Sequence, residues 1–126
     1  MAALSPRPAP VCEEDPLANL FVTADGEVTP CVYLCPPVAG DFPRRFCGRE
    51  HPVKRLSFGN LFERPLEAIW NAPPYAEFRA RFARRARRHR LLTALAALAG
   101  RPARSSEGDL PPPPDPCRTC HRILGV

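Results

Sequence analysis

Eighteen of the 126 residues are proline, and that excess constrains the fold more than any other feature. Each proline fixes its own φ and removes a backbone N–H, so helices and sheets must form where prolines are sparse. Usage is about 14%, against an ordinary ~5%. The prolines divide the chain. Residues 1–11 read as a disordered tail ahead of a domain over 12–126. Residues 35–59, with Pro36, Pro37, Pro43 and Pro52, read as a long loop. Residues 101–116, with four consecutive prolines at 111–114, read as an extended linker of polyproline type, and a C-x-x-C segment over 117–126 follows.

Two stretches escape this pattern. The first is a hairpin over 20–33 centred on Asp25-Gly26, a pair suited to a two-residue type I′ turn. That turn would pair Ala24 with Glu27, Val22 with Thr29 and Leu20 with Cys31. Pro30 has no N–H, so the returning strand is expected at an edge or with a bulge. Cys31 falls at the open end of the hairpin, and Cys12, eight residues before Leu20, can reach the same end.

The second stretch is helical. A short helix over about 65–71 starts on Pro65, where the missing N–H costs nothing, and is expected to bury Leu66, Ile69 and Trp70. A longer helix over about 74–99 follows Pro73-Pro74 and ends at Gly100. Tyr75, Phe78, Phe82, Ala86 and His89 share one stripe of it, while Leu91, Leu95 and Leu98 lie nearly opposite. One straight helix cannot bury both stripes in a small core. A break near His89–Arg90 is therefore expected; the alternative is a leucine patch that docks outside this chain. A hairpin, helices and proline-rich loops make a small irregular α+β domain.

The net charge of +5 is unevenly placed, since residues 78–106 carry nine arginines and no acidic residue. Seventeen arginines against a single lysine, Lys54, point to a general compositional bias. An RNA-binding or anionic-surface role would rest on residues such as Arg84, Arg85 and Arg88. No aromatic residue interleaves them on the exposed side to stack bases, and a solvated helix face is the plainer reading. No apolar run approaches the ~20 residues of a membrane span, and the first residues lack the apolar core of a signal peptide. A cytoplasmic chain without a membrane partner is expected. Paired carboxylates, a serine–histidine–aspartate set and a phosphate-binding loop are all missing, so catalysis by this chain alone has no support.

In a reducing compartment six cysteines point to metal or redox chemistry, and a small core gains from a metal staple. Cys117-Arg-Thr-Cys120 places two thiolates in a tight turn, a device shared by zinc, iron–sulfur and redox sites. The βαβ context of a thioredoxin-type motif is absent. With Cys12 and Cys31 the pair completes four thiolates drawn from both ends of the domain.

These residues resemble the SPASM/twitch family, the auxiliary iron–sulfur module of radical S-adenosylmethionine enzymes. Cys12, thirteen residues, then Gly26-Glu-Val-Thr-Pro-Cys31 is similar to the family's C-x(9–15)-G-x4-C element. Phe58-Gly-Asn-Leu-Phe-Glu-Arg-Pro-Leu-Glu-Ala-Ile-Trp-Asn71 resembles its glycine–asparagine and isoleucine–tryptophan segment. Tyr75-Ala-Glu-Phe-Arg79 looks like the helix that follows, and Cys117-x-x-Cys120 like its closing ligands. The resemblance implies Cys12, Cys31, Cys117 and Cys120 as ligands of one 4Fe-4S cluster, with Cys35 in reserve. Cys47 and His51 are expected to be bystanders; His121 follows the last ligand, where a solvated histidine is the plainer reading and a hydrogen bond to a cluster sulfur the alternative.

Two departures shape the expectation. Val126, the last residue, stands where a full SPASM domain has its next cysteine, so the pattern suits the shorter, single-cluster form. Cys31-Val-Tyr-Leu-Cys35 begins like the radical C-x3-C-x2-C motif, but its third position is Val38. The resemblance thus implies an accessory module that serves a radical S-adenosylmethionine enzyme in trans, relaying electrons or binding its peptide or protein substrate. The alternative is a structural four-cysteine zinc (Zn2+) protein acting as an interaction or nucleic-acid-binding module. Zinc ribbons usually present two C-x-x-C knuckles, and this chain has one.

Overall fold

A computed structural model describes residues 9–102 and 107–124. Two small antiparallel sheets and two helices make an α+β domain. The first sheet has the order β1 (Phe21–Val22), β2 (Glu27–Thr29), β5 (Gly59–Asn60). The second is a hairpin of β3 (Phe42–Phe46) and β4 (Arg49–Val53). Helix α1 covers Leu66–Asn71 and α2 covers Pro73–Leu98, close to the expected bounds.

The first hairpin forms where expected but in a different register. Phe21 pairs with Thr29 and Val22 with Val28, one residue away from the two-residue-turn register. The loop holds three residues, Ala24 to Gly26. The Gly26 N–H donates to the Thr23 carbonyl (2.9 Å), and Gly26 has φ +87°, which makes a type I turn followed by a left-handed residue. A side chain at Gly26 would also meet the Asn60 Oδ1 at 2.7 Å and the Phe62 ring at 2.8 Å. Nor is β2 an edge: it lies between β1 and β5, and it ends before Pro30, so the missing N–H falls outside the ladder.

The segment over 35–59 is not the long loop its prolines suggest. β3 and β4 pair from Phe42↔Val53 to Phe46↔Arg49, joined by Cys47 (φ +51°) and Gly48 (φ +75°), the two positive-φ residues of a tight hairpin turn. Pro43 faces Pro52, two positions along from Arg45↔Glu50, at a pair that exchanges no ladder bonds. There the missing N–H groups would point away from the partner strand, where a two-stranded ribbon has no neighbour. The prolines thus cost no ladder bonds and blunt both edges against further pairing.

The core joins β2, both helices and the closing segment: Val28, Leu34, Ile69, Tyr75, Phe78 and Phe82 pack with Cys117, Ile123 and Leu124. Of the residues expected to be buried on α1, Ile69 is fully buried and Trp70 partly, whereas Leu66 is 41% exposed. The expected break in α2 does not occur. No proline or glycine interrupts it after Pro74, its residues are strong helix formers, and one helix spans about 39 Å at ~1.5 Å per residue. Gly100 closes it as expected, with its N–H on the Ala97 carbonyl and that of Arg101 on Ala96. Leu91, Leu95 and Leu98 consequently stay exposed. No helix among the described residues is long and apolar enough to cross a membrane.

The buried stripe of α2 reads Tyr75, Phe78, Phe82 and Arg85. Arg85, expected on a solvated face, is 1% exposed. It donates to the carbonyls of Ala9 (2.8 Å), Pro10 (3.2 Å) and Pro111 (2.6 Å). Residues 9–11, assigned to a disordered tail by sequence, are therefore held in place, and the Ala9 N–H donates to Ile123. The rest of that tail, residues 1–8, lies outside the described residues, as does 103–106 of the linker. Other helix arginines are also engaged: Arg79 donates to the Trp70 carbonyl, Arg81 and Arg84 pair with Glu77, and Arg88 donates to the Asp109 carbonyl.

Removing Arg85 would strand three carbonyls. Arg85→Leu is expected to lower unfolding free energy by about 3 kcal/mol, read from the urea midpoint. Arg85→Lys should recover only part of this, because one ammonium cannot reproduce the guanidinium fork.

Candidate metal centre

Three segments carry the cysteines that the sequence singles out. Cys12 opens a turn in which its carbonyl accepts the Asp15 N–H (3.0 Å). Cys31 leaves β2 through Pro30 in extended conformation and starts a 3₁₀ turn over Val32–Leu34, where its carbonyl accepts the Leu34 N–H. Cys117 ends a 3₁₀ turn over Asp115–Cys117, and its carbonyl accepts the Cys120 N–H (3.1 Å), which closes the C-x-x-C loop. Cys117 and Cys120 are buried and Cys12 and Cys31 half-buried. All six cysteines are free thiols.

Electrostatics shows which of them share a neighbourhood. Burial raises the Cys117 pKa, and negative charge on Cys31, Cys12 or Cys120 raises it further, against the opposing Arg44. Cys31 is pushed up to about 11, by burial first, then by Cys120 and Cys12, while the backbone N–H groups of Tyr33 and Leu34 act the other way. Cys12 is raised by burial and, less, by Cys120 and Glu14. Each pair among Cys12, Cys31, Cys117 and Cys120 therefore interacts.

Cys35 stands apart. It is buried, but the charges that act on it are those of Arg55 and Glu27. Cys47 is exposed in the β3–β4 turn, and His51 packs on Phe46 with ring centroids 6.0 Å apart. His121 is exposed, its ring edge-on to Tyr33 at 5.1 Å. Among the described residues, no three His, Cys, Asp or Glu side chains stand close enough to grip a single metal ion.

Two arginines that sequence reasoning missed tie the segments together. Arg44, on β3, donates through Nη1 to the Pro116 carbonyl (2.6 Å) and the Thr119 hydroxyl (3.4 Å), and through Nη2 to the Tyr33 carbonyl (3.2 Å). It thus joins the turn after Cys31 to the C-x-x-C loop. Arg122 donates to Glu13 (2.8 Å), pairs with Glu14 (3.3 Å) and reaches the Tyr33 hydroxyl (3.3 Å). That links the Cys12 turn to both of the others. No local signal marks Arg44, because it lies in a stretch whose prolines conceal a strand. Beside these contacts an open cleft of about 360 Å³, lined by Tyr33, Phe42, Arg44, Phe46, Cys120 and His121, gives access to the Cys120 side of the group.

Thiols are soft donors suited to iron–sulfur groups, and Cys12 and Cys31 pack against the core cluster that contains Cys117, whose turn also carries Cys120. The chain belongs to the SPASM family of iron–sulfur cluster-binding domains, which it matches over residues 12–94. That stretch holds Cys12 and Cys31 and stops short of Cys117 and Cys120. Over 69 residues the chain is 35% identical to the tungsten-containing aldehyde ferredoxin oxidoreductase cofactor-modifying protein of Pyrococcus furiosus. The aligned part covers 55% of this chain and 18% of that relative, so the chain spans about a fifth of its length. No solved structure matches the chain.

The donor chemistry fits an iron–sulfur group, since four thiols can each give up a proton to become a ligand. Without metal, the raised pKa of Cys31 has a consequence for stability. The unfolded chain loses this proton near pH 9 and the folded chain near 11, so the unfolded state binds fewer protons between those values. Stability of the metal-free protein is expected to be intact below pH 9 and to fall as pH rises through 11, as measured by urea unfolding. Arg44→Ala should release the C-x-x-C loop and speed loss of bound metal to a chelator several-fold, with the secondary structure retained.

Proposed function

We propose that Cys12, Cys31, Cys117 and Cys120 hold one 4Fe-4S cluster, and that the domain serves a radical S-adenosylmethionine enzyme in trans in the cytoplasm. The observation that carries this reading is the packing of Cys12 and Cys31 against the core cluster that contains Cys117, with Cys120 closed onto Cys117 in one turn, while Cys47 is exposed in the β3–β4 turn. The chemistry such a cluster supplies is one-electron exchange.

The protein's own part is to bind and shield. Burial of Cys117 and Cys120 keeps water from two of the donors, and Arg44 and Arg122 hold the three ligand turns in one arrangement. The guanidinium of Arg44 favours the deprotonated state of Cys117 against burial. Electron relay suits this arrangement, because the cleft at Cys120 brings the thiolate group within reach of a docked partner. Binding of the enzyme's peptide or protein substrate is the other form of the same accessory role. The exposed Leu91, Leu95 and Leu98 would form the docking surface.

The decisive experiment is purification without oxygen followed by iron, sulfide and zinc analysis. Four irons and four sulfides per chain with broad visible absorbance are expected for the 4Fe-4S assignment. Cys117→Ala or Cys120→Ala should abolish uptake, while Cys35→Ala and Cys47→Ala retain it. Colourless protein with one zinc per chain would overturn the reading in favour of a structural zinc site built from the same four cysteines.

A further inference from the structure

The segment between β4 and β5 has a backbone edge without a partner. In residues 54–58 the N–H groups of Leu56 and Phe58 donate to the Leu34 and Val28 carbonyls, both at 2.8 Å, so both point to the β2 side. Successive N–H groups of an extended chain point to opposite edges, and those of Arg55 and Ser57 therefore face away from β2. Among the described residues neither is donated to a backbone carbonyl. Pro43 and Pro52 blunt the β3–β4 ribbon, but no proline falls between Val53 and Gly59 to blunt this edge.

The edge borders a groove. An open cleft of about 630 Å³ is lined by Lys54, Arg55, Leu56 and Ser57 together with Asp115 and Pro116. A second hollow of about 250 Å³ shares Leu56, Asp115 and Pro116 with it and continues to Phe58 and Phe78. The two adjoin, so the groove follows residues 54–58 from a basic end to an apolar one. Its acidic residues are already paired: Asp115 with Arg118 at 3.3 Å, and Glu77 with Arg84 at 2.8 Å. Lys54 is exposed and makes no ion pair among the described residues. Free N–H groups along an edge, an apolar end and an unmatched cation are what an added strand with an acidic side chain would use.

We propose that this groove binds an extended acidic peptide segment by strand addition along residues 54–58. The peptide's carbonyls accept the N–H groups of Arg55 and Ser57, and one of its carboxylates meets Lys54. The backbone bonds supply affinity for any extended chain, while Lys54 and the apolar end select among sequences. The site gives the substrate-binding form of the accessory role a location, and rests on that reading only for the source of the peptide.

The test uses the full chain, purified without oxygen and analysed for iron and sulfide, with a fluorescein-labelled, acetylated hexapeptide that alternates valine and glutamate. Fluorescence anisotropy should show saturable binding, and amide exchange at Arg55 and Ser57 should slow when the peptide is added. Lys54→Glu should weaken binding about fivefold, and so should lysine in place of the peptide's glutamates. Methylating the backbone nitrogens of the valines, or those of the glutamates, blocks one edge of the peptide at a time. Blocking the paired edge should cost about tenfold, and blocking the other should cost nothing. Equal binding of the two methylated peptides, or an affinity that ignores both charge reversals, overturns the proposal. Absence of saturable binding overturns it whether or not the chain carries iron, and the iron and sulfide content decides the cluster reading separately. Protection of the Arg55 and Ser57 amides without peptide, lost on dilution, would place a second copy of the chain on this edge and overturn it as well.

Discussion

Arg85 donates three hydrogen bonds from the middle of α2 to carbonyls at opposite ends of the chain, and that clamp holds the segments that lead to Cys12 and to Cys117. Ala9 and Pro10 lie just before Cys12; Pro111 lies just before the C-x-x-C loop. Neither segment belongs to a sheet, and neither has enough N–H groups to be held by backbone pairing. Proline removes donors but leaves carbonyls, so a proline-rich chain accumulates unmatched acceptors. Arginine, with five donors and no acceptor, is the complementary side chain. The same pairing recurs where Arg44 holds Pro116 and Arg55 holds Pro36. An arginine content that looks like compositional bias in sequence is, at these positions, what gives the loops their shape.

This commitment bears on the basic charge. Five of the seven arginines from Arg79 to Arg90 bind carbonyls or Glu77 within the chain, so the basic stretch is largely a bracing system. Polar atoms tied to the protein's own backbone are less free to meet phosphates. The leucines beyond the domain are in the opposite situation. The helix continues because nothing in its local sequence stops it, and the core ends before the helix does. The apolar overhang therefore follows from α2 outrunning the small body it packs on.

The legibility of the fold followed the range of the interactions involved. Both helices could be read because their signals are local: prolines at the start, a glycine at the end, and apolar spacing between. The first hairpin was legible in place but not in register, since Asp25-Gly26 accommodates either a two- or three-residue loop. Contact of Gly26 with Asn60 and Phe62, thirty-odd residues away, accompanies the longer one. The second hairpin escaped notice because Pro43 and Pro52 argue against strands unless one knows that they face outward from a two-stranded ribbon. That orientation is set by pairing, which no single strand reveals.

By itself the sequence determined the chemistry of this protein: which thiols exist, how two of them share a turn, and the pattern that resembles a cluster-binding family. Residue types and short spacings are enough for that, because ligand softness and turn geometry are local properties. Only the tertiary structure decided which cysteines pack on the core, bringing Cys12 and Cys31 to the cluster that contains Cys117, with 104 residues between Cys12 and Cys117. It also decided that Arg44, Arg85 and Arg122 are braces and that the buried Tyr75 hydroxyl has no hydrogen-bond partner among the described residues. The reason is physical. Proximity between distant segments rests on many weak contacts made at once, and each contact has meaning only when the others are formed.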